Sequence, residues 1–258
     1  MISLFRPNAE LSPSSHRLLA VGWVIAILLL ASALSVPLLP KPLAIVAAWK
    51  DLLEHGLFHD LWVSFKLNVE AIIITTILSL LLVYASLMPA VRPFVAFISK
   101  NRAIGFVGLT LFFTLATSGI HQFKLSLLVY GMLVWFVTSM LTQLDAIPKE
   151  QYDHARTLGM SNWRIVWEVV VRGKADTVVD VMRENAAIGW MLLPMVEGVA
   201  RAEGGVGVML INYNKYLRLD AVFALIITIL IVVLLQDWFL GLCKGLLFPY
   251  STLDTEKK

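Results

Sequence analysis

An all-α, polytopic membrane fold of about six transmembrane helices follows from three features of this 258-residue chain. The first is composition: 59% of residues are hydrophobic, only 15% are charged, and the mean hydropathy is +0.79. A soluble domain carries closer to about a quarter charged residues, so this chain holds more apolar surface than one aqueous core would bury. The second is repetition. Apolar runs of about 20 residues recur, the length a helix needs to cross about 30 Å of hydrocarbon. The third is punctuation, because prolines and short charged stretches separate the runs.

Leu18 to Val36 is the first run, closed by Pro37 and Pro40. It starts late, after a polar segment, and no small-residue cleavage site follows, so a retained helix is expected and not a cleaved leader. Lys41 to Asp60 is polar and holds Trp49, which with Trp62 just beyond it suits an interfacial position. The second span runs from about Val69 to Met88 before Pro89, and Lys66 and Glu70 precede or open it at a spacing that permits pairing on one helix face. The third span, about Ala103 to Gly119, and the fourth, about Leu125 to Leu144, are joined by the short polar break His121 to Lys124 and should be antiparallel neighbours. A charged internal loop, 145–176, comes next. The fifth span lies between Val178 and Val199, with Asp180, Arg183 and Glu184 early in it and Glu197 near its end. After Gly204-Gly205-Val206-Gly207, the sixth span covers about Leu219 to Leu242. The chain thus divides into an N-terminal segment (1–17), a transmembrane domain (18–248) and a short polar tail (249–258).

With the N-terminus in the cytoplasm, Lys and Arg outside the spans favour the cytoplasmic loops by about two to one. Both termini and loop 145–176 are then cytoplasmic. A net charge of +3 is too small to suggest nucleic acid as a partner. The single cysteine, Cys243, cannot form an internal disulfide. The five histidines fall in different loops, and no nucleophile–base arrangement sits on a recognisable elbow, so neither a metal site nor a catalytic site is expected. The glycine-rich 204–207 segment lacks the preceding strand that a nucleotide loop requires. Ionisable residues at membrane depth are functional candidates, and Arg183 and Glu184 on the mixed face of the fifth span suit a pathway lining, with Glu197 a third candidate. Asn68 and Gln122 are expected at solvated ends.

The internal loop carries the most information. Asp145 and Pro148 are good helix-start residues, Lys149 to Leu158 reads as a short helix, and Gly159 is placed to end it in a left-handed cap. Ser161 can start a second helix leading back to the membrane. Tyr152, Ala155 and Leu158 share one stripe of the first helix, and Asp153 and Arg156 lie off it.

Asp153-His154-Ala155-Arg156-Thr157-Leu158-Gly159, continuing through Ser161 and Trp163, resembles the Glu-Ala-Ala loop of ABC importer permeases. It is most similar to the branch that imports nitrate, sulfonates and taurine. Asp153 stands at the Glu, Ala155 at the second Ala and Gly159 at the Gly, while His154 replaces the first Ala. Leu39-Pro40-Lys41-Pro42 with Trp49, Asp145-Ala146-Ile147-Pro148, and Glu197 with the 204–207 glycines also resemble family segments. The family's prolines after the glycine turn are missing, where this chain reads Val169-Val170-Val171-Arg172-Gly173-Lys174-Ala175-Asp176.

The resemblance implies the type I, MetI-like permease fold and a non-enzymatic transport subunit. ATP would bind to a separate ATPase subunit, and this chain would need no cofactor. Tyr152, Asp153, Ala155, Leu158 and Gly159 would form the helix that docks on that ATPase, a rigid lever and not a reacting site. A periplasmic or lipid-anchored solute-binding protein and a second permease copy, identical or not, would be the other partners in the lipid bilayer. The solute would be a small anion. The missing prolines motivate one alternative: a membrane scaffold or enzyme that kept the fold and lost standard coupling.

Overall fold

The computed structural model describes residues 15, 18, 19, 21–23, 40–101 and 106–249. Most of the expected first span and nearly all of the tail lie outside the described residues. Those described are helical with connecting turns, and contain no strand. In chain order the helices are α1 (Pro42–Glu54), α2 (Leu57–Ala85), α3 (Arg92–Lys100), α4 (Phe106–Ala116), α5 (Ile120–Asp145), α6 (Lys149–Thr157), α7 (Asn162–Ile165), α8 (Ala175–Val199), α9 (Val206–Lys215) and α10 (Leu219–Leu247). A π-helical turn, Val166–Arg172, continues α7, and a 3₁₀ turn, Arg201–Glu203, follows α8.

Three of these helices, α2, α5 and α10, are long and apolar enough to cross a membrane. Helix α8 is nearly as long at 25 residues but carries more charge. At a rise of about 1.5 Å per residue, the 29 residues of α2 reach about 43 Å, well beyond about 30 Å of hydrocarbon. The expected second span therefore starts late: the helix begins at Leu57, directly after Gly56, whose φ of 87° makes the turn. Polar residues Asp60, Ser64 and Asn68 belong to it because a helix only needs its lipid-facing side to be apolar, and theirs faces protein. Helix α4 is shorter than the expected third span, and residues 102–105 lie outside the described set.

Helices α2, α5 and α8 pack together around Leu67, Ala71, Leu127, Leu128, Met132, Ala186, Trp190 and Leu193. A second cluster, with Val83, Phe136, Met140, Ile147, Val170 and Val181, closes the end from which α6 projects. A third, with Leu52, Leu57, Val206, Met209, Ala221 and Leu225, joins α1, α9 and α10 at the opposite end. There the Trp49 indole donates to Thr228 Oγ1 at 2.9 Å and to the Ala224 carbonyl at 3.1 Å, tying α1 to α10.

Two sequence expectations change in the bundle. Asn68 is fully buried and not at a solvated end. Its Nδ2 lies 3.5 Å from the Ala186 carbonyl and 3.4 Å from Gln236 Oε1, which also accepts from the Trp190 indole at 2.7 Å. Glu70 meets His121 at 3.2 Å across to α5, and not its helix neighbour Lys66, which stays exposed. Both follow from helix packing, which brings residues distant in sequence closer than residues on one face.

Candidate functional site

The short helix expected in the internal loop forms as α6, from Lys149 to Thr157. Pro148 supplies its start, because a ring pre-set at φ near −61° suits a helix entry. Asp145 does not cap it; it ends α5, and its carboxylate accepts from Arg92 at 3.3 Å. The helix ends in a Schellman motif. Gly159 has φ +73°, its amide bonds to the Arg156 carbonyl at 2.9 Å, and the Met160 amide to the Ala155 carbonyl at 3.3 Å. Ser161 opens α7 by position, though its side chain makes no cap bond.

Within α6 the five residues singled out from the sequence divide. Ala155 is buried, and Tyr152 packs inward against the cluster of Val83, Phe136 and Ile147. Burial, and then the nearby Asp145 charge, push the Tyr152 phenol above its ordinary pKa, so it stays neutral. These two residues hold α6 against the bundle. Asp153, Leu158 and Gly159 face outward. Asp153 pairs with Arg156 at 2.9 Å. Leu158 is 61% exposed, in company with Trp163 at 72% and Trp167 at 58%. Trp167 was not singled out from the sequence; its spacing of four from Trp163 on a continuing helix was the available signal.

The segment without the family prolines turns as a π-helix. The Gly173 amide bonds to the Glu168 carbonyl at 3.1 Å, the i→i+5 pattern, and Glu168 and Arg172 pair at 3.1 Å. A side chain at Gly173 would strike the Val169 carbonyl, so the exit into α8 depends on that glycine.

At the opposite end, the 204–207 segment is held from three helices. Glu197 of α8 is fully buried. Its carboxylate accepts from Ser64 Oγ at 2.6 Å and from the Gly207 amide at 2.7 Å. Ser64 Oγ in turn accepts from the Val206 amide at 2.9 Å, and Asp60 from the Gly205 amide at 3.0 Å. Buried Lys124 of α5 donates to the Gly204 carbonyl at 3.3 Å and lies 3.4 Å from Glu203. An anion at the start of α9 meets unsatisfied amides and the positive end of the helix dipole. Asp60, Ser64 and Lys124 could not be read from sequence, because nothing local ties them to a loop far along the chain.

The three candidate lining residues do not converge. Glu197 is at this end of α8, while Arg183 lies toward the α6 end, in a bidentate pair with Asp237 of α10 at 2.9 and 2.8 Å. Asp180 joins that group through Arg183 at 3.9 Å and also pairs with Lys244 at 2.6 Å. Glu184 beside it is exposed. Among the described residues no group of three or more His, Cys, Asp or Glu could hold a metal ion.

Comparison with known proteins gives this geometry its family. Over 245 residues the chain is 24% identical to the taurine transport system permease protein TauC of Escherichia coli (strain K12), covering 90% of this chain and 86% of that protein. Residues 1–244 match the family described as binding-protein-dependent transport system inner membrane component. The chain therefore belongs to that family, as a multi-pass inner-membrane permease subunit of an ABC importer and not an enzyme.

Proposed function

We propose that this subunit carries a small anion of the sulfonate or nitrate class into the cell, and that a separate ATPase drives it through α6. The observation that carries the coupling reading is the build of α6. The helix is anchored at its root by Tyr152 and Ala155, ended by the Gly159 elbow, and presents Leu158 to solvent. A short helix held on one side and free on the other moves as a body when a partner grips it. On this reading α6 and both termini are cytoplasmic, and α1 and α9 face the outside, where a solute-binding protein delivers the anion. A second permease copy completes the pathway. The anion class rests on the similarity to a protein named for taurine transport.

The test is co-purification with the ATPase, followed by uptake of a radiolabelled sulfonate by proteoliposomes. Leu158→Asp and Gly159→Pro should each abolish co-purification, while Lys66→Gln, on an exposed site away from α6, should not. Intact ATPase association and uptake in both α6 variants would sink the docking reading. Uptake of an uncharged solute but not of sulfonate or nitrate would sink the anion assignment.

A further inference from the structure

The junction of α9 and α10 repeats the helix-ending motif of α6, but with a leucine where the glycine belongs. The Leu217 amide bonds to the Asn214 carbonyl at 3.1 Å and the Arg218 amide to the Tyr213 carbonyl at 3.0 Å. This is a Schellman motif whose left-handed position is Leu217, at φ +54°. Among the described residues no other non-glycine residue has positive φ. At the matching position after α6 the chain uses Gly159. A leucine there costs conformational energy that glycine would not.

The leucine side chain does not recover that cost by packing. Leu217 is 76% exposed and its neighbour Tyr216 71%. Everything around the pair is braced. The Arg218 guanidinium bonds Asp51 at 2.7 Å and Asp220 at 3.4 Å, and lies 5.4 Å from the centre of the Tyr213 ring. Its partners hold Arg218 firmly charged, first through Asp51. The Lys215 ammonium sits 5.7 Å from the Tyr216 ring centre. A strained backbone that displays two uncovered apolar side chains on a rigid base is a feature of binding surfaces.

Lipid would also cover a tyrosine and a leucine, but the arrangement favours protein. The charged layer of Arg218, Asp51 and Asp220 stands between the tip and the apolar run of α10, so the tip lies on the watery side of it. Lipid also needs no fixed backbone geometry. The tip is at the end of the bundle opposite α6, so it cannot share the ATPase's face. We infer that Tyr216 and Leu217 form the docking tip for the solute-binding protein, entering an apolar recess whose rim carries an acidic group for Lys215. This rests on the reading of α6 as the ATPase side, and on a family whose transport depends on a binding protein.

The experiment uses the full permease–ATPase complex in lipid nanodiscs, titrated with its purified solute-binding protein. Leu217→Gly and Tyr216→Ser should each raise the concentration giving half-maximal ATPase stimulation at least tenfold, with basal ATPase activity unchanged. Leu217→Gly should also keep or raise the Tm, because it relieves the strained position. An unchanged titration overturns the proposal, as does a lowered Tm for Leu217→Gly, which would make Leu217 a packing residue. A polarity-sensitive dye on Leu217→Cys, in a Cys243→Ser background, should shift to the blue only when binding protein is added. A dye already blue-shifted in nanodiscs alone, and unmoved by binding protein, assigns the tip to lipid and overturns the proposal. If the unmodified complex never responds to binding protein, the import reading falls and the proposal with it. A normal response left intact by the tip variants removes the proposal alone.

Discussion

The Glu197 carboxylate accepts the Gly207 amide proton at 2.7 Å, so the end of α8 caps the start of α9 across a glycine turn. The same carboxylate accepts a hydrogen bond from the Ser64 hydroxyl, which fixes α2 to both. A buried acid serves here as the acceptor that three helices share.

Removing that acceptor should be costly. Glu197→Ala leaves the Ser64 hydroxyl and the Gly207 amide buried without it, an expected loss of about 2–4 kcal/mol. Glu197→Gln keeps an acceptor and should lose less. Thermal unfolding in detergent, followed with a thiol-reactive dye on the single cysteine Cys243, measures both. Equal stability of Glu197→Ala and the parent would show that the capping bonds contribute nothing.

Gly207 has no room for a side chain. A Cβ there would lie 2.5 Å from Pro194 Cα and 2.9 Å from the Pro194 carbonyl oxygen, and backbone cannot step aside as a side chain can. Gly207→Ala should therefore separate α8 from α9 and lower the unfolding temperature. Gly245→Ala, with open space around it, should be neutral in the same assay.

Gly189 faces Asn68 and Met132 at the crossing of α8 with α2 and α5. A Cβ there would strike the Asn68 side-chain oxygen and lie 3.1 Å from Met132 Sδ. Gly189→Ala should destabilise by about 1–3 kcal/mol, the usual range for overpacking. Shortening the neighbour should return part of the loss, so Gly189→Ala with Asn68→Ala should be more stable than additive losses allow. Strict additivity in that double-mutant cycle would refute the contact.

Arg183 and Asp237 offer a choice between structure and transport. If the pair only holds α8 to α10, Asp237→Asn should cost about 1–3 kcal/mol, as loss of a charge-assisted bond does. Arg183→Met with Asp237→Leu should then regain folding and uptake together, since an ion pair can often be replaced by apolar partners. If Arg183 also meets the solute, the double variant will fold yet stay inactive in sulfonate uptake.

Asn185 gives a prediction of opposite sign. It is 2% exposed, and neither of its amide atoms has a partner among the described residues. Asn185→Leu, with the same branching of its side-chain heavy atoms, should raise the unfolding temperature because a buried amide without partners is a cost. A fall in stability would mean that the amide is satisfied in the membrane-embedded protein.

The linear chain determined what depends on neighbours in sequence. Apolar runs of spanning length require lipid, and Pro148, the Asp153–Leu158 stretch and Gly159 together write a short helix with a glycine elbow, because proline and glycine restrict or free their own backbone. Those features gave the membrane class, α6 and the family likeness. The tertiary structure decided what depends on distance across the bundle. It put Asn68 in the protein interior and gave Arg183 to Asp237. It joined Asp60, Ser64, Lys124 and Glu197 around the 204–207 turn, and it turned Tyr152 inward while leaving Leu158 out. A polar residue in an apolar helix looks the same in sequence whether it faces lipid, water or another helix; only packing selects the side. The strain at Leu217 belongs to the same class, since a leucine carries no sign of positive φ until the turn around it is formed.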